Sequence, residues 1–190
     1  KLSGRGFTMF LGLDATADEL GVENHNYFLY DTSDSVAQYE KMRTIEGNKV
    51  QATVCLNRAQ PDCSPEGTSM MYFTTLYMSD DWAKIAPQDY FKTKTYVANK
   101  MIDRFERDTG AKLRGHIEEV SIATPMTYAR YCGHPQGVIY GYESQYWDGL
   151  MPRLQMMAED YENGVRGLRF AGGYAMRLSG YSCAYHAGDI

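Results

Sequence analysis

The strongest constraint on the fold is a period-two alternation of apolar and polar residues in two stretches, residues 6–13 and 50–56. Successive side chains of a strand point to opposite faces, so each stretch predicts a β-strand with one buried face. The apolar positions of the first stretch are Phe7, Met9, Leu11 and Leu13. Another strand is predicted at residues 70–78, apolar on both faces. A long loop rich in Pro and Gly precedes it, so we expect it to pair antiparallel with 50–56.

One long helix is predicted across residues 88–110. Apolar residues recur there at roughly 3.6-residue spacing with Lys and Arg opposite, and Gly110 is expected to end the helix. Shorter helices are predicted at 35–42, 81–86 and 126–131. Further strands are predicted at 27–30, at 113–122 with a β-bulge between Ile117 and Val120, and at 137–143. Strands and helices do not alternate strictly, so the expected fold class is α+β: a mostly antiparallel, mixed sheet covered by helices on one face.

Charge and cysteine content exclude several classes of protein. The net charge is −5 and no basic block is present, so a nucleic-acid partner is not expected. No apolar run approaches the ~20 residues that span a bilayer, and four scattered cysteines do not predict a disulfide framework. We therefore expect a cytoplasmic protein, with peripheral membrane attachment left open. The chain begins at Lys1 without a signal-peptide pattern, which favours a piece of a longer polypeptide.

The 16 Tyr, 7 Phe and 11 Met residues leave two interpretations open. Met is flexible and Tyr is amphipathic, so together they suit a core that adapts to a bulky apolar ligand. The alternative is an ordinary aromatic-rich core.

The segment "GLRFAGGYAMRLSGYSCAYHAG" (167–188) carries the most specific local pattern. A strand-like run ends at Gly172 and Gly173, and Gly180 opens a predicted helix. A helix N-terminus exposes free N–H groups and partial positive charge, which suits an anion or an electron-rich ring. Glycines allow close approach of a ligand to the backbone. Taken alone, the same glycines are also compatible with simple turns.

Three ordered blocks resemble the phytoene desaturase-like flavoproteins, which include carotenoid desaturases, carotenoid isomerases and retinol saturases. "FAGG" (170–173), Gly180 and "HAG" (186–188) are similar to the family's C-terminal flavin-contacting segment. "EEVSIATPMTYARYCGHPQGVIYGYE" (118–143) and "FTMFLGLDATADELGVENHNYFLYDT" (7–32) resemble segments of its substrate domain. Two positions depart from the family pattern: Gly173 replaces an acidic residue, and Cys183 replaces a frequent Gly.

The resemblance implies a C-terminal fragment of an FAD-dependent oxidoreductase that desaturates, saturates or isomerises an apolar, polyene-like substrate. It implies a substrate-binding domain at 1–164 and, at 165–190, the last strand and helix of a truncated FAD domain. The implied flavin-contacting residues are Gly172, Gly173, Gly180, Tyr181 and Ser182. Arg130 and Tyr131, just after Thr124 and Pro125, are the candidate substrate-contacting residues; contact with the cofactor and a packing role are left open as alternatives.

The main FAD-binding part is expected to lie in a missing N-terminal domain of the same polypeptide, because no G-x-G-x-x-G fingerprint is present. The isolated fragment is expected to be inactive, and a homo-oligomer is left open. The alternative functions are a non-catalytic module that binds an apolar ligand and a structural interaction domain.

Other chemical constellations are weaker. Cys132, His134, Cys183 and His186 fit no standard zinc spacing, so no metal is expected. Ser179 is not in a G-x-S-x-G elbow. His116 is interpreted as a surface or packing residue, and Glu118 and Glu119 as a solvated strand end. No catalytic residue is assigned from the sequence.

Overall fold

The computed structural model describes residues 2–141, 161–162 and 165–166. The chain forms two compact units, one of Gly4–Val138 and one of Lys1–Ser3 with Ile139–Ile190. The described strands are β1 (Arg5–Leu13), β2 (Asn26–Leu29), β3 (Gln51–Cys55), β4 (Ser69–Tyr77), β5 (Ile117–Ala123), β6 (Tyr161–Glu162) and β7 (Val165–Arg166). The described α-helices are α1 (Ser35–Lys41), α2 (Tyr90–Thr109) and α3 (Pro125–Cys132). The predicted α+β class is confirmed.

A five-stranded antiparallel sheet forms the frame of the unit Gly4–Val138, with strand order β2-β3-β4-β1-β5. β3 and β4 are antiparallel neighbours, as the sequence predicts. Register is set by the alternation noted above: Met9 lies opposite Phe73, and the next pair, Phe10 and Tyr72, points to the other face. The sheet therefore has two chemically distinct faces.

The core lies between one face of the sheet and α2. The sheet contributes Phe7, Met9, Leu11, Leu13, Met71 and Phe73, and α2 contributes Val97, Met101, Ile102 and Phe105. Phe105 is fully buried, and its ring meets those of Phe73 and Tyr27 edge to face at centroid distances of 5.4 Å and 5.0 Å. α2 ends where predicted, because Gly110 adopts the left-handed conformation at φ 80° that a side chain disfavours.

The predicted strand at 113–122 begins four residues later than expected. Arg114–His116 is a 3₁₀ turn, and β5 starts at Ile117. A carboxylate oxygen of Glu106 on α2 accepts hydrogen bonds from the backbone N–H groups of Leu113 (2.6 Å) and Arg114 (2.9 Å), which holds this stretch against the helix. The predicted bulge is confirmed, since the pairing of β1 with β5 shifts between residues 117 and 119.

The predicted strand at 137–143 is wrong within the described residues. Pro135–Gly137 is a 3₁₀ turn, and only Val138 forms an isolated bridge, to Arg5. Gly137 has φ 72°, and a Cβ there would lie 2.0 Å from the carbonyl oxygen of Pro125. The chain turns back tightly over the start of α3, which is incompatible with an extended strand. Residues 142 and 143 lie outside the described residues.

The predicted helix at 81–86 is a shorter 3₁₀ turn, Asp81–Lys84, in the structure. Pro87 opens a second 3₁₀ turn, Pro87–Asp89, which leads directly into α2. A proline cannot donate a helical hydrogen bond, so the two turns do not fuse into one helix.

β6 and β7 pair antiparallel, and neither strand was predicted from the sequence. The predicted domain boundary between residues 164 and 165 lies between these two strands in the sequence and stays a prediction. In the part of the chain that the structure describes, no helix combines the length and apolarity needed to cross a bilayer.

Candidate functional site

The sheet face opposite α2 carries a band of apolar and aromatic side chains that we call the open face. It consists of Phe10, Phe28, Ala52, Val54, Met70 and Tyr72. Phe10, Phe28 and Met70 are 45%, 66% and 41% exposed. Single exposed apolar residues are ordinary, but a contiguous band on one sheet face marks a contact surface or the wall of a binding site.

Strand register arranges the open face in rows that cross the sheet. In one row Val54, Tyr72 and Phe10 lie side by side on β3, β4 and β1, and the rings of Phe10 and Tyr72 are 6.1 Å apart. The neighbouring row contains Phe28 and Ala52. Strands are spaced about 4.8 Å apart, so the four strands that carry the open face give a surface about 14 Å wide. The rows therefore offer an extended apolar track across the strands.

A cluster of three hydroxyl groups joins two threonines of the row that also contains Phe28 and Ala52 to a tyrosine of α3. Tyr128 of α3 donates a hydrogen bond of 2.8 Å to Thr8 Oγ1, and Thr8 Oγ1 lies 3.1 Å from Thr74 Oγ1. These two bonds use two of the three hydroxyl protons, so the third proton, on Thr8 or Thr74, is not used within the cluster. Thr8 is buried and Thr74 is half-buried. This hydroxyl cluster, Thr8–Thr74–Tyr128, is a polar spot beside the apolar track.

α3 is fixed at its start by its own side chains. Thr124 is fully buried, and it forms a reciprocal capping box with Thr127, with bonds of 3.1 Å and 3.4 Å. The phenol of Tyr90 lies 2.7 Å from Thr124 Oγ1. The N–H groups at this helix end are thus partly hydrogen-bonded, and its cap is buried. These contacts fix the start of α3 and thereby hold Tyr128 in place.

The two residues implied as substrate-contacting, Arg130 and Tyr131, both lie in the last turn of α3 and are exposed. The guanidinium carbon of Arg130 is 5.8 Å from the ring centroid of Tyr131, whose side chain is 78% exposed. The structure brings these two residues together, and their contact with a substrate stays a prediction. Sequence reasoning missed Tyr128 in the same helix, whose only signal was its place after the capping box.

The five residues implied as flavin-contacting, Gly172, Gly173, Gly180, Tyr181 and Ser182, lie outside the described residues. The same holds for Ser179, Cys183 and His186. Sequence reasoning also missed the open face as a site, although it noted that residues 70–78 are apolar on both faces.

His116 and Cys55 of the described residues do not extend the open face into a catalytic cluster. His116 Nδ1 lies 2.9 Å from a carboxylate oxygen of Asp14, and both side chains are about half exposed. Burial raises the pKa of the Cys55 thiol, which keeps it protonated and unreactive. Within the described part of the chain, no group of three or more His, Cys, Asp or Glu residues could hold a metal ion.

Comparison with known proteins gives three relatives. The chain is 28% identical over 153 residues to all-trans-retinol 13,14-reductase of Danio rerio, a match that covers 72% of this chain and 25% of the relative. It is 32% identical over 78 residues to the chloroplastic prolycopene isomerase of Daucus carota, covering 41% of this chain and 12% of that protein. The corresponding isomerase of Arabidopsis thaliana is 28% identical over 78 residues.

The chain spans a quarter or less of the length of these relatives. No protein-family model matches it. Both kinds of relative, a retinol reductase and a carotenoid isomerase, are of the type that the three sequence blocks indicate. The resemblance of this chain to the phytoene desaturase-like family, with its carotenoid isomerases and retinol saturases, is confirmed.

Proposed function

We propose that the chain is part of a flavin-dependent oxidoreductase or isomerase that acts on an apolar, polyene-like substrate, and that the open face forms one wall of the substrate site. The observation that carries this proposal is the contiguous apolar band across β1, β3 and β4 in a chain similar to retinol reductase and prolycopene isomerase. Residues 1–164 are then a substrate-binding domain.

The chemistry of the open face suits a conjugated hydrocarbon. Aromatic rings such as Phe10 and Tyr72 provide flat, polarizable surface for a planar polyene, and Met70 adapts its shape to the ligand. Sites for apolar ligands are lined mainly by such side chains, with a few polar groups that fix orientation. The track across the strands supports an elongated substrate rather than a compact one.

The hydroxyl cluster is the polar group that would orient the substrate. Thr8 and Thr74 retain one hydroxyl proton between them, and Tyr128 is held by the capped start of α3. The hydroxyl oxygen at one end of a polyene alcohol would accept a hydrogen bond from this hydroxyl group. That bond would fix the position of the substrate along the apolar track. A hydrocarbon substrate would lack this contact.

FAD remains part of the proposal on the strength of the resemblance. The described residues do not themselves fit the dinucleotide, because the N–H groups at the start of α3 are partly bonded within its capping box. The binding residues would be Gly172, Gly173, Gly180, Tyr181 and Ser182 together with an N-terminal domain of the same polypeptide. The described residues would contribute an apolar wall that excludes water and orients the substrate.

The experiment uses the protein encoded by the complete reading frame, purified and examined for flavin absorbance and for turnover of all-trans-retinol and of prolycopene. Phe10→Ser tests the open face. Phe91→Ser is the matched control, because Phe91 is an exposed aromatic residue on α2. We expect Phe10→Ser to raise the KM for the polyene and Phe91→Ser to leave it unchanged.

The outcomes separate the candidate functions. A colourless protein that ignores added FAD but still binds retinol would favour the non-catalytic module for apolar ligands. A flavin-containing protein in which Phe10→Ser and Phe91→Ser behave alike would refute the role of the open face and retain the enzyme class.

A further inference from the structure

A small pocket lies within the unit Gly4–Val138, on the side of the sheet that α2 covers. It is bordered by residues from the segment before β3, from β3 and β4, and from α2. Its volume is about 130 Å³. Organic ligands of drug size need about 300 Å³ or more, so this pocket suits a small ion or a single functional group.

The side chains that line this pocket are unusually basic. Four of them are cationic: Lys49, Lys100, Arg104 and Arg107. Among the described residues that line the pocket, none is acidic. Gln51 and Thr75 add neutral polar groups at its wall. A concave surface with several positive charges and low-dielectric walls concentrates anions.

Arg104 supplies an independent observation. The residue is only 8% exposed, and its Nε donates to Asp108 at 3.2 Å. Its Nη1 is buried and has no hydrogen-bond acceptor among the described residues. A buried charged donor without an acceptor is costly, and in native proteins such a group generally has an ion or water beside it. Nη1 of Arg104 therefore lacks a hydrogen-bond acceptor, which an anion would supply.

Nearby carboxylates reduce the positive charge without cancelling it. Asp108 is shared by Arg104 and Arg107, and Asp31 lies 3.8 Å from Lys49. The carboxylate of Glu46 accepts a hydrogen bond from Tyr96. Asp31 also pairs with Lys41, at the shorter distance of 2.8 Å. None of these carboxylates lines the pocket, so the lining itself carries a surplus of positive charge.

Lys100 is anchored at the pocket wall by backbone groups. Its ammonium donates to the carbonyl oxygens of Ile45 (3.2 Å) and Glu46 (2.6 Å), which leaves one of its three protons for another acceptor. Burial lowers the pKa of Lys100; the charge of Glu46 opposes this shift, and the charges of Lys49 and Arg104 add to it. An anion in the pocket would relieve this repulsion.

We propose that the pocket between α2 and strands β3 and β4 binds a small tetrahedral oxyanion, as free phosphate or as the terminal phosphate of a small ester, with Arg104 as its principal ligand. The surplus positive charge, the small volume and the unpaired Arg104 Nη1 all lead to this ligand class. The site is separate from the open face, because it is lined by residues on the helix-covered side of the sheet, and it does not depend on the polyene proposal.

The test is a titration of the intact protein with inorganic phosphate at constant ionic strength, followed by isothermal calorimetry and by thermal unfolding. We expect saturable binding and a rise in Tm with phosphate concentration. Arg104→Met should weaken phosphate binding about tenfold or more, since it removes a charge-assisted hydrogen bond. A parallel titration with glycerol phosphate distinguishes the two sources, as only an ester-accepting pocket would bind both.

Two double variants keep the test independent of folding defects. Lys49→Gln with Arg107→Gln removes two charges at exposed positions of the pocket wall, and it should weaken binding several-fold while the protein remains folded. Lys92→Gln with Lys94→Gln removes the same charge elsewhere on α2 and should leave the affinity unchanged. Stabilisation by sodium chloride equal to that by phosphate, or equal affinity in the pocket variant and the control variant, would overturn the proposal.

Discussion

The two faces of the sheet predict very different responses to the same chemical change. Phe73 and Phe10 lie on the adjacent strands β4 and β1 but point to opposite faces. Phe73 is fully buried against Phe105, so Phe73→Ala should lower the free energy of unfolding by about 3–5 kcal/mol. Phe10 is 45% exposed, so only about half of its transfer free energy is at stake. Phe10→Ala should therefore cost about 1 kcal/mol.

The assay is urea unfolding and thermal unfolding followed by circular dichroism. For a chain of this size 1 kcal/mol corresponds to about 2–4 °C in Tm, so we expect losses of about 6–20 °C for Phe73→Ala and about 2–4 °C for Phe10→Ala. Unchanged m values would show that the unfolded states are comparable. Equal losses in the two variants would refute the reasoning, because the open face would then be as fully buried as the core.

Three further predictions concern single residues. Gly137→Ala should destabilise the protein by more than about 1–2 kcal/mol, since φ is positive there and a Cβ would lie 2.0 Å from the carbonyl oxygen of Pro125. Gly67 also has a positive φ, but a Cβ there would meet no atom within 4 Å. Gly67→Ala should therefore cost less in the same unfolding assay. Burial raises the pKa of the Tyr77 phenol, so the neutral phenol contributes fully to the stability of the folded protein below about pH 10, and this contribution is lost as the pH rises. Tyr77→Phe should therefore move the midpoint of alkaline unfolding upward. An unchanged midpoint would contradict this prediction. A hydrogen bond from a lysine lowers the pKa of Asp31, so Asp31→Asn should lower the free energy of unfolding by less than about 1 kcal/mol at neutral pH. The difference in stability from the parent protein should vanish as the pH falls through the pKa of Asp31 in the folded protein. Urea unfolding at several pH values would measure this.

Strands and helices with a clear period were predictable from the sequence. The alternation of β1 and β3 and the 3.6-residue spacing of α2 report burial of one face directly, and Gly110 marked a real helix end. The bulge in β5 was also predictable, because an interruption of the apolar–polar alternation within a strand has few other causes.

Errors arose where tertiary contacts decide the local structure. The stretch before β5 looked extended, yet the Glu106 side chain bonds the backbone of Leu113 and Arg114 and produces a turn. The residues after α3 contain apolar and β-branched types, but the left-handed turn at Gly137 packs them against Pro125. Neither contact leaves a periodic signal in the sequence.

The candidate site was only partly predictable. Arg130 and Tyr131 were named from family resemblance, whereas the structure adds Tyr128 and the two threonines, whose proximity depends on strand register and on the docking of α3. The basic pocket was not predicted at all. Its cations come from the segment before β3 and from α2, which are about 50 residues apart in the chain.

The most direct test of the central claim is a photo-crosslinking measurement on the intact protein incubated with all-trans-retinol. A benzophenone side chain is introduced in place of Tyr72 on the open face, and in a separate control in place of Val36, which is 73% exposed on α1. We predict that mass spectrometry will detect a retinol adduct at position 72 and little at position 36, and that unlabelled retinol will compete for it. Equal labelling at the two positions, or no labelling at position 72 in an active protein, would contradict the assignment of the open face as the substrate wall.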